Sequence, residues 1–245
     1  MHRDSGFSLL EAVVAIAIIS ASMGLMMQGL AASTRATKLT EDKYFATILA
    51  RSNIHRVGFE IPLACHRIFC ADNPKAKIGL PEILVGIFPG AGGTTRLVRK
   101  MGAMAASPFL LEGKLSDPKK AKAAGLIDEV VDDPVAAARA WVLTATDADI
   151  VKPWDQKGYK MPGGAPYHPA GFMTFVGASA MVNGKTQGAF PAAKALLSAV
   201  YEGALVPFDT ALKIEARWFT NVLMNPSSAA MIRSLFINKE ALEKG

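Results

Sequence analysis

The sequence predicts an α/β chain, preceded by one long hydrophobic N-terminal helix and followed by a helical region. Three observations predict it. An uncharged apolar run extends from Ala12 to Ala32. The middle of the chain mixes short extended pieces with Pro/Gly turns and short helical stretches. Beyond residue 190, apolar side chains recur at three- and four-residue spacing. The expected organisation is a helical segment over 1–54, a mixed segment over 58–149, and a linker with helices over 150–245.

The apolar run is long enough to cross a bilayer, which takes about 20 residues. Its basic leader is tiny and no small-residue cleavage pattern follows it, so it is not an ordinary signal peptide. Glu11 at its start is unusual for a plain anchor. The bulk composition excludes several classes. The chain carries 27 basic and 21 acidic residues, net +6. Its densest basic run, Lys119, Lys120 and Lys122, lacks interleaved aromatics and reads as a solvated helix face, not a nucleic-acid footprint. The two cysteines, Cys65 and Cys70, form no zinc spacing, so no metal site is expected. Cys65 and His66 are adjacent and point in different directions, which favours a buried thiol over a nucleophile–base pair.

In the middle segment, Lys77-Ile78-Gly79 is expected to be extended. Pro81 fixes the backbone before Glu82 and places that carboxylate on a defined loop. Ile83, Leu84, Val85, Ile87 and Phe88 surround it with apolar groups. A carboxylate in such a setting has a raised pKa and can donate a proton near neutrality. Pro89-Gly90-Ala91-Gly92-Gly93 forms a tight turn, with Thr94 and Thr95 capping a helix from Arg96 to Met101. No Gly-Lys-Ser/Thr closes this glycine cluster. Gly184-Lys185-Thr186 has that ending, but Ser179 stands where the first glycine belongs, so neither is a nucleotide loop. An alanine-rich helix follows Gly102. Asp117-Pro118 starts another that Gly125 ends, Leu126–Val131 reads as a strand, and 134–147 as helix. The Pro/Gly/aromatic stretch from Asp149 to Phe172 reads as an extended linker, with His168 an ordinary loop residue. Helices are expected over Ala192–Gly203 (Ala193, Leu196, Leu197, Val200 inward) and Asp209–Leu223 (Leu212, Ala216, Phe219 inward). Asn225-Pro226-Ser227-Ser228 caps a last helix.

Two resemblances attach to these motifs. GFSLLE, Gly6–Glu11, followed directly by the apolar run, resembles the type IV prepilin signature. The stretch to residue 54 is similar to the long helix of minor pseudopilins of type II secretion. That resemblance implies cleavage after Gly6, methylation of Phe7, pairing of Glu11 with a neighbouring subunit's amino terminus, and inner-membrane insertion through residues 7–32. The second resemblance rests on GFE followed by LAC, on IGLPE, on PGAGGTTRL and on GKLSDPKKAKAAGLIDEVV. In that order they resemble the crotonase (enoyl-CoA hydratase/isomerase) superfamily, and in particular the hydratase part of bacterial multifunctional β-oxidation proteins, which also carry a 3-hydroxyacyl-CoA dehydrogenase. It implies a partial crotonase-like ββα spiral and a cytoplasmic location for this part. It also implies an acyl-CoA thioester substrate, no other cofactor, and assembly as a homo-oligomer or a β-oxidation complex. Glu60 matches the glutamate that holds and activates the added water, and Glu82 the one that hands a proton to the α-carbon. One acts as base while the other acts as acid.

The chain departs from that pattern around the oxyanion hole. Val57 and Gly58 stand where the family has a glycine run whose N–H stabilises the thioester enolate. Losing one such donor costs about 3 kcal/mol. The resemblance covers none of the family's N-terminal half, and residues 150–245 resemble the helices that precede an NAD-binding domain without reaching its GxGxxG fingerprint. The expected function is therefore enoyl-CoA hydration of an impaired, truncated kind. The rivals are a minor pseudopilin and an inactive chimeric product.

Overall fold

Proline and its neighbours set most of the helix starts. The computed structural model describes residues 59–244, all within one compact unit. Pro118, Pro134, Pro169, Pro191 and Pro226 each open a helix, where the missing N–H costs nothing. Asp117, Asp133, His168 and Asn225 precede four of them, and each side chain accepts a backbone N–H of the first turn. His168, read from sequence as a plain loop residue, is thus an N-cap.

In chain order the elements are α1 (Glu60–Ala64), β1 (Phe69–Ala71), β2 (Ile78–Gly79), a 3-10 turn (Pro81–Val85), α2 (Gly93–Met101), α3 (Ala103–Leu110), β3 (Leu115–Ser116), α4 (Pro118–Ala123), β4 (Glu129–Val131) and α5 (Pro134–Thr144). After a short 3-10 turn at Pro153–Asp155 come α6 (Pro169–Thr186), α7 (Pro191–Ala204), α8 (Phe208–Leu223) and α9 (Pro226–Ile232). A π-helical stretch (Arg233–Asn238) leads into α10 (Lys239–Lys244). β1 pairs in parallel with β4, Cys70 opposite Val130, and β2 pairs antiparallel with β3, Ile78 opposite Ser116. Gly79 is required in the second pair, because a Cβ there would lie 2.3 Å from the Lys114 carbonyl oxygen. That close pairing delivers the chain to Pro81 and Glu82.

One hydrophobic core unites the mixed segment with the helices that follow. Leu80, Phe88, Leu97 and Leu126 share it with Leu196 of α7 and Val222 of α8. Phe88 meets Phe219 of α8 edge to face, centroids 5.8 Å apart at 85°. Arg99, buried, donates to the carbonyls of Gly203 in the last turn of α7 and of Val206 just beyond it. A smaller cluster packs α5 onto β1 through Ala138, Trp141 and Phe69.

The structure corrects several expectations. The last strand is only Glu129–Val131, since Leu126 and Ile127 are drawn into the core in an irregular bend. The helix α5 stops at Thr144 rather than continuing to residue 147. Pro169–Thr186, expected to begin as linker, is an 18-residue helix. In α8 the buried positions are Ala211, Glu215 and Val222, while Ala216 faces solvent and Leu212 and Phe219 flank the seam. The defined loop expected to carry Glu82 is a 3-10 turn. Among the described residues no helix is long and apolar enough to cross a membrane. The apolar run from Ala12 to Ala32, the sites Gly6, Phe7 and Glu11, and the oxyanion positions Val57 and Gly58 lie outside the described residues.

Candidate active site

Glu82 reaches its position through local constraint on both sides. Leu80 is buried, Pro81 starts the 3-10 turn, and Gly86 ends it in the left-handed region at φ 83°. A side chain at Gly86 would also strike Met231 of α9, whose Sδ lies 2.8 Å from the Cβ position. The carboxyl of Glu82 is turned inward. Its Oε2 is buried with no hydrogen-bond partner among the described residues. Burial, with a smaller contribution from the negative charge of Glu60, pushes its pKa up to about 7 against the pull of its own backbone N–H.

Glu60 is the first residue of α1 and is held quite differently. Its Oε1 accepts the N–H of Ala91 at 2.9 Å and of Gly93 at 2.8 Å. Gly93 has to be glycine, because a Cβ would sit 2.6 Å from the Glu60 Cγ and Oε1. Burial raises the pKa of Glu60. The N–H groups of Gly93 and Ala91, the Arg96 guanidinium and the Gly90 N–H oppose that rise. The two glutamates are thus distinguished by environment: one carries fixed donors, the other an oxygen unsatisfied among the described residues.

The turn that anchors Glu60 is itself clamped. Gly92 adopts φ 91°, and Arg96 folds back to donate from Nη1 to the Ala91 carbonyl at 2.9 Å. Glu215, only 1% exposed, accepts the Gly92 N–H (2.6 Å) on Oε1 and both the Thr95 N–H (2.7 Å) and Thr95 hydroxyl (2.5 Å) on Oε2. Its pKa is also pushed up to about 7, by burial and then by the charge of Glu60. The expected Thr94/Thr95 cap is therefore replaced. The helix begins at Gly93, its N-cap is Gly92, and two carboxylates from elsewhere take the orphan N–H groups. Thr94 turns its hydroxyl to the Pro89 carbonyl.

A row of side chains flanks the turn. The Arg96 guanidinium lies over the Phe208 ring at 5.8 Å, Phe208 stacks on Trp154 at 5.4 Å, and Lys152 lies over Trp154 at 5.4 Å. Lys152 donates to the carbonyls of Cys65 and Leu63, capping the end of α1, and burial lowers its pKa to about 8. Both cysteines are buried. Among the described residues no three His, Cys, Asp or Glu side chains are grouped to hold a metal ion. An apolar cavity of about 240 Å³ opens between α3, α6 and α7, lined by Met104, Leu110, Met173 and Leu197, and the glutamates take no part in it.

The paired glutamates, each on the block where the sequence placed it, coincide with a family match. Residues 55–148 match the sequence profile described as enoyl-CoA hydratase/isomerase. The match places an enoyl-CoA hydratase/isomerase domain in this segment. Residues 1–27 match the prokaryotic N-terminal methylation motif. Over 188 residues the chain is 34% identical to the fatty acid oxidation complex subunit alpha of Shewanella amazonensis, a match that takes in 76% of this chain and 26% of that protein. The chain thus spans about a quarter of the length of that relative. Among solved structures, an enoyl-CoA hydratase/isomerase from Acinetobacter baumannii aligns at 18% identity and TM-score 0.38, over 69% of this chain and 56% of that one. An enoyl-CoA hydratase from Thermoplasma volcanium aligns at 24% identity and TM-score 0.31, over 71% and 53%. These overlaps are partial, and the family assignment rests on the sequence match.

Within the hydratase/isomerase segment the structure holds Glu60 at the start of α1 and Glu82 on the 3-10 turn, close enough for the charge of one to act on the other. Sequence reasoning missed Glu215, which lies beyond the matched segment. No local signal marked it, because periodicity puts the apolar seam through Leu212 and Ala216 and its partners Gly92 and Thr95 lie more than a hundred residues away.

Proposed function

We propose that this site adds water across the double bond of a 2-enoyl-CoA thioester, with Glu60 and Glu82 as its acid–base pair. The carrying observation is the buried Oε2 of Glu82, without a hydrogen-bond partner among the described residues, beside a Glu60 carboxylate anchored by two backbone N–H groups. Glu60, held by donors that favour its ionised form, accepts the proton of the attacking water, whose oxygen bonds to the β-carbon. Glu82, with a pKa near neutrality, carries a proton to the α-carbon. Both new bonds form on the face that carries the two carboxyls, which gives syn addition. The electron pair of the double bond passes through the thioester enolate to the new C–H bond, so no redox cofactor takes part. The shared family and the fatty acid oxidation relative support an acyl-CoA substrate. With Val57 at the donor position, turnover is expected to be slow.

The test follows crotonyl-CoA conversion to 3-hydroxybutyryl-CoA by proton NMR in deuterated water over hours, with deuterium entering at the α-carbon. The intact chain should turn over, and Glu82→Gln and Glu60→Gln should each cut the rate by roughly 10²-fold or more. No conversion by the intact chain, or equal conversion by both variants, overturns the reading.

A second reading is favoured by the match over residues 1–27. Processing after Gly6 and methylation of Phe7 would make the apolar segment a membrane-inserted, pseudopilin-like helix, with Glu11 paired to a neighbouring amino terminus. Mass spectrometry of membrane-fraction protein should then find a methylated Phe7 at the mature N-terminus. An intact Met1 recovered from the soluble fraction would count against it.

A further inference from the structure

The turn from Gly90 to Thr95 distributes its backbone donors between two carboxylates that approach from opposite directions in the sequence. Ala91 and Gly93 give their N–H groups to Glu60 of α1. Gly92 and Thr95 give theirs to Glu215 of α8. The donors alternate along the chain, so the orientation of one set fixes the other. If the Gly92 peptide rotates away from Glu215, the peptides on either side of it, which carry the Ala91 and Gly93 N–H groups, rotate with it.

We propose that Glu215 is a positioning residue for Glu60, acting through the peptide groups of the Gly90–Thr95 turn. The helical region beyond the matched segment is thereby part of the site. Three further contacts support the same role for that region. Phe219, one helical turn along α8, packs so closely on Gly90 that a Cβ there would lie 2.2 Å from its ring. Ser228 of α9 donates its hydroxyl to the Gly86 carbonyl at 2.8 Å, and Met231 fills the space beside Gly86. The α8–α9 pair therefore braces the turn that anchors Glu60 and the turn that carries Glu82.

The chemistry of position 215 makes the carboxyl hard to replace. An ionised Glu215 accepts all three donors. A protonated one keeps both N–H groups and donates its own hydrogen to the Thr95 hydroxyl, which can reverse. A glutamine has to aim its NH2 at one of the two N–H groups, so one donor is lost in either orientation.

The inference rests on Glu60 being a working carboxylate, but its test does not require catalysis. Amide hydrogen exchange, read residue by residue on the intact chain, compares wild type with Glu215→Gln. If Glu215 held only its own partners, the Gly92 and Thr95 amides alone would exchange faster. Positioning requires the Ala91 and Gly93 amides, which never touch residue 215, to exchange at least tenfold faster too, while the Leu196 amide in α7 stays as in wild type. Acceleration confined to Gly92 and Thr95 overturns the proposal. Should Glu215→Gln fail to fold, Thr95→Ala removes one arm of the clamp. It should speed Ala91 and Gly93 in the same sense, Thr95→Ser should restore them, and no change in Thr95→Ala overturns the proposal equally. Loss of hydration with unchanged Ala91 and Gly93 exchange would refute positioning and leave the acid–base reading intact. Faster Ala91 and Gly93 exchange in Glu215→Gln, with Glu60→Gln and Glu82→Gln hydrating as fast as wild type, would uphold positioning and refute the acid–base reading.

Discussion

Glu82 and Glu215 are each carboxyls kept near a pKa of about 7 by burial, and both stability and rate should show it. In the unfolded chain a glutamate ionises near its ordinary value, about 4.3. Between that value and about 7 the folded state binds more protons than the unfolded one, so stability falls as pH rises through this window. Below the window both states are protonated and no penalty exists. Above it both are ionised and the penalty is complete. For Glu82 it amounts to at most about 4 kcal/mol, and to roughly 2 kcal/mol once solvent screening of the partly exposed side chain is allowed for, and so to a melting temperature lower at pH 8 than at pH 5 by on the order of 5 °C. Glu82→Gln should shrink that difference while Glu215 keeps its own share, and melts of both proteins at the two pH values check it. An unchanged difference would mean that Glu82 is not desolvated. Activity should follow the same group. A donor that must hold its proton loses effectiveness above its pKa, so the hydration rate of wild type should decline as pH rises beyond about 7.

The elements that carry these residues are held by close approaches rather than by side-chain bulk. Gly90 has an ordinary backbone angle and is glycine for one reason: the Phe219 ring of α8 occupies the place where a Cβ would go. Gly90→Ala should destabilise the protein by about 1–3 kcal/mol through overpacking. Phe219→Leu should be destabilising alone, because it breaks the edge-to-face contact with Phe88, yet it should recover part of the Gly90→Ala loss when the two are combined. A thermal double-mutant cycle measures this, and strict additivity would show that the ring does not press on the turn. These approaches also explain what the sequence disclosed. Ile78-Gly79, Pro81-Glu82 and the Pro89–Gly93 turn were legible because local chemistry dictates them: a proline fixing φ, glycines allowing tight turns, an apolar run around one acid. The helix α6 was hidden by its own composition, since Gly171, Gly177 and Gly184 interrupt the apolar period and the Pro/Gly stretch before it reads as linker. The rotation of α8 was hidden for another reason. Periodicity favours an apolar seam through Leu212 and Ala216, but the donors of Gly92 and Thr95 lie on the facing element, and they draw a carboxylate to the buried position. That pairing spans more than a hundred residues and leaves no local trace.

At the scale of the whole described structure, the mixed segment and the helical region have no separate means of satisfying their buried groups. Arg99 of α2 ends on the carbonyls of Gly203 and Val206, Tyr159 donates to the Arg99 carbonyl at 2.6 Å, Glu215 ends on the Gly92–Thr95 turn, and Ser228 ends on Gly86. Each link, once opened, leaves a buried or part-buried polar group unpaired, at a cost of up to about 1–3 kcal/mol where burial is complete. The shared core adds to this, because separating α7 and α8 from α2 would bare Leu97, Phe88, Leu196 and Val222 together. The two regions should therefore unfold as one unit, although the family match ends at residue 148. The tryptophans provide the test. Trp141 reports on the small cluster against β1, and Trp218 reports on α8, where its indole N–H donates to Glu202 at 3.0 Å. Variants keeping only one of these should give the same urea midpoint by fluorescence, and that midpoint should coincide with the loss of helical signal in circular dichroism. Two resolved midpoints, with Trp218 lost before Trp141, would mean that the helices detach from the glutamate loops on their own, and α8 could then brace Glu60 only in the fully native state.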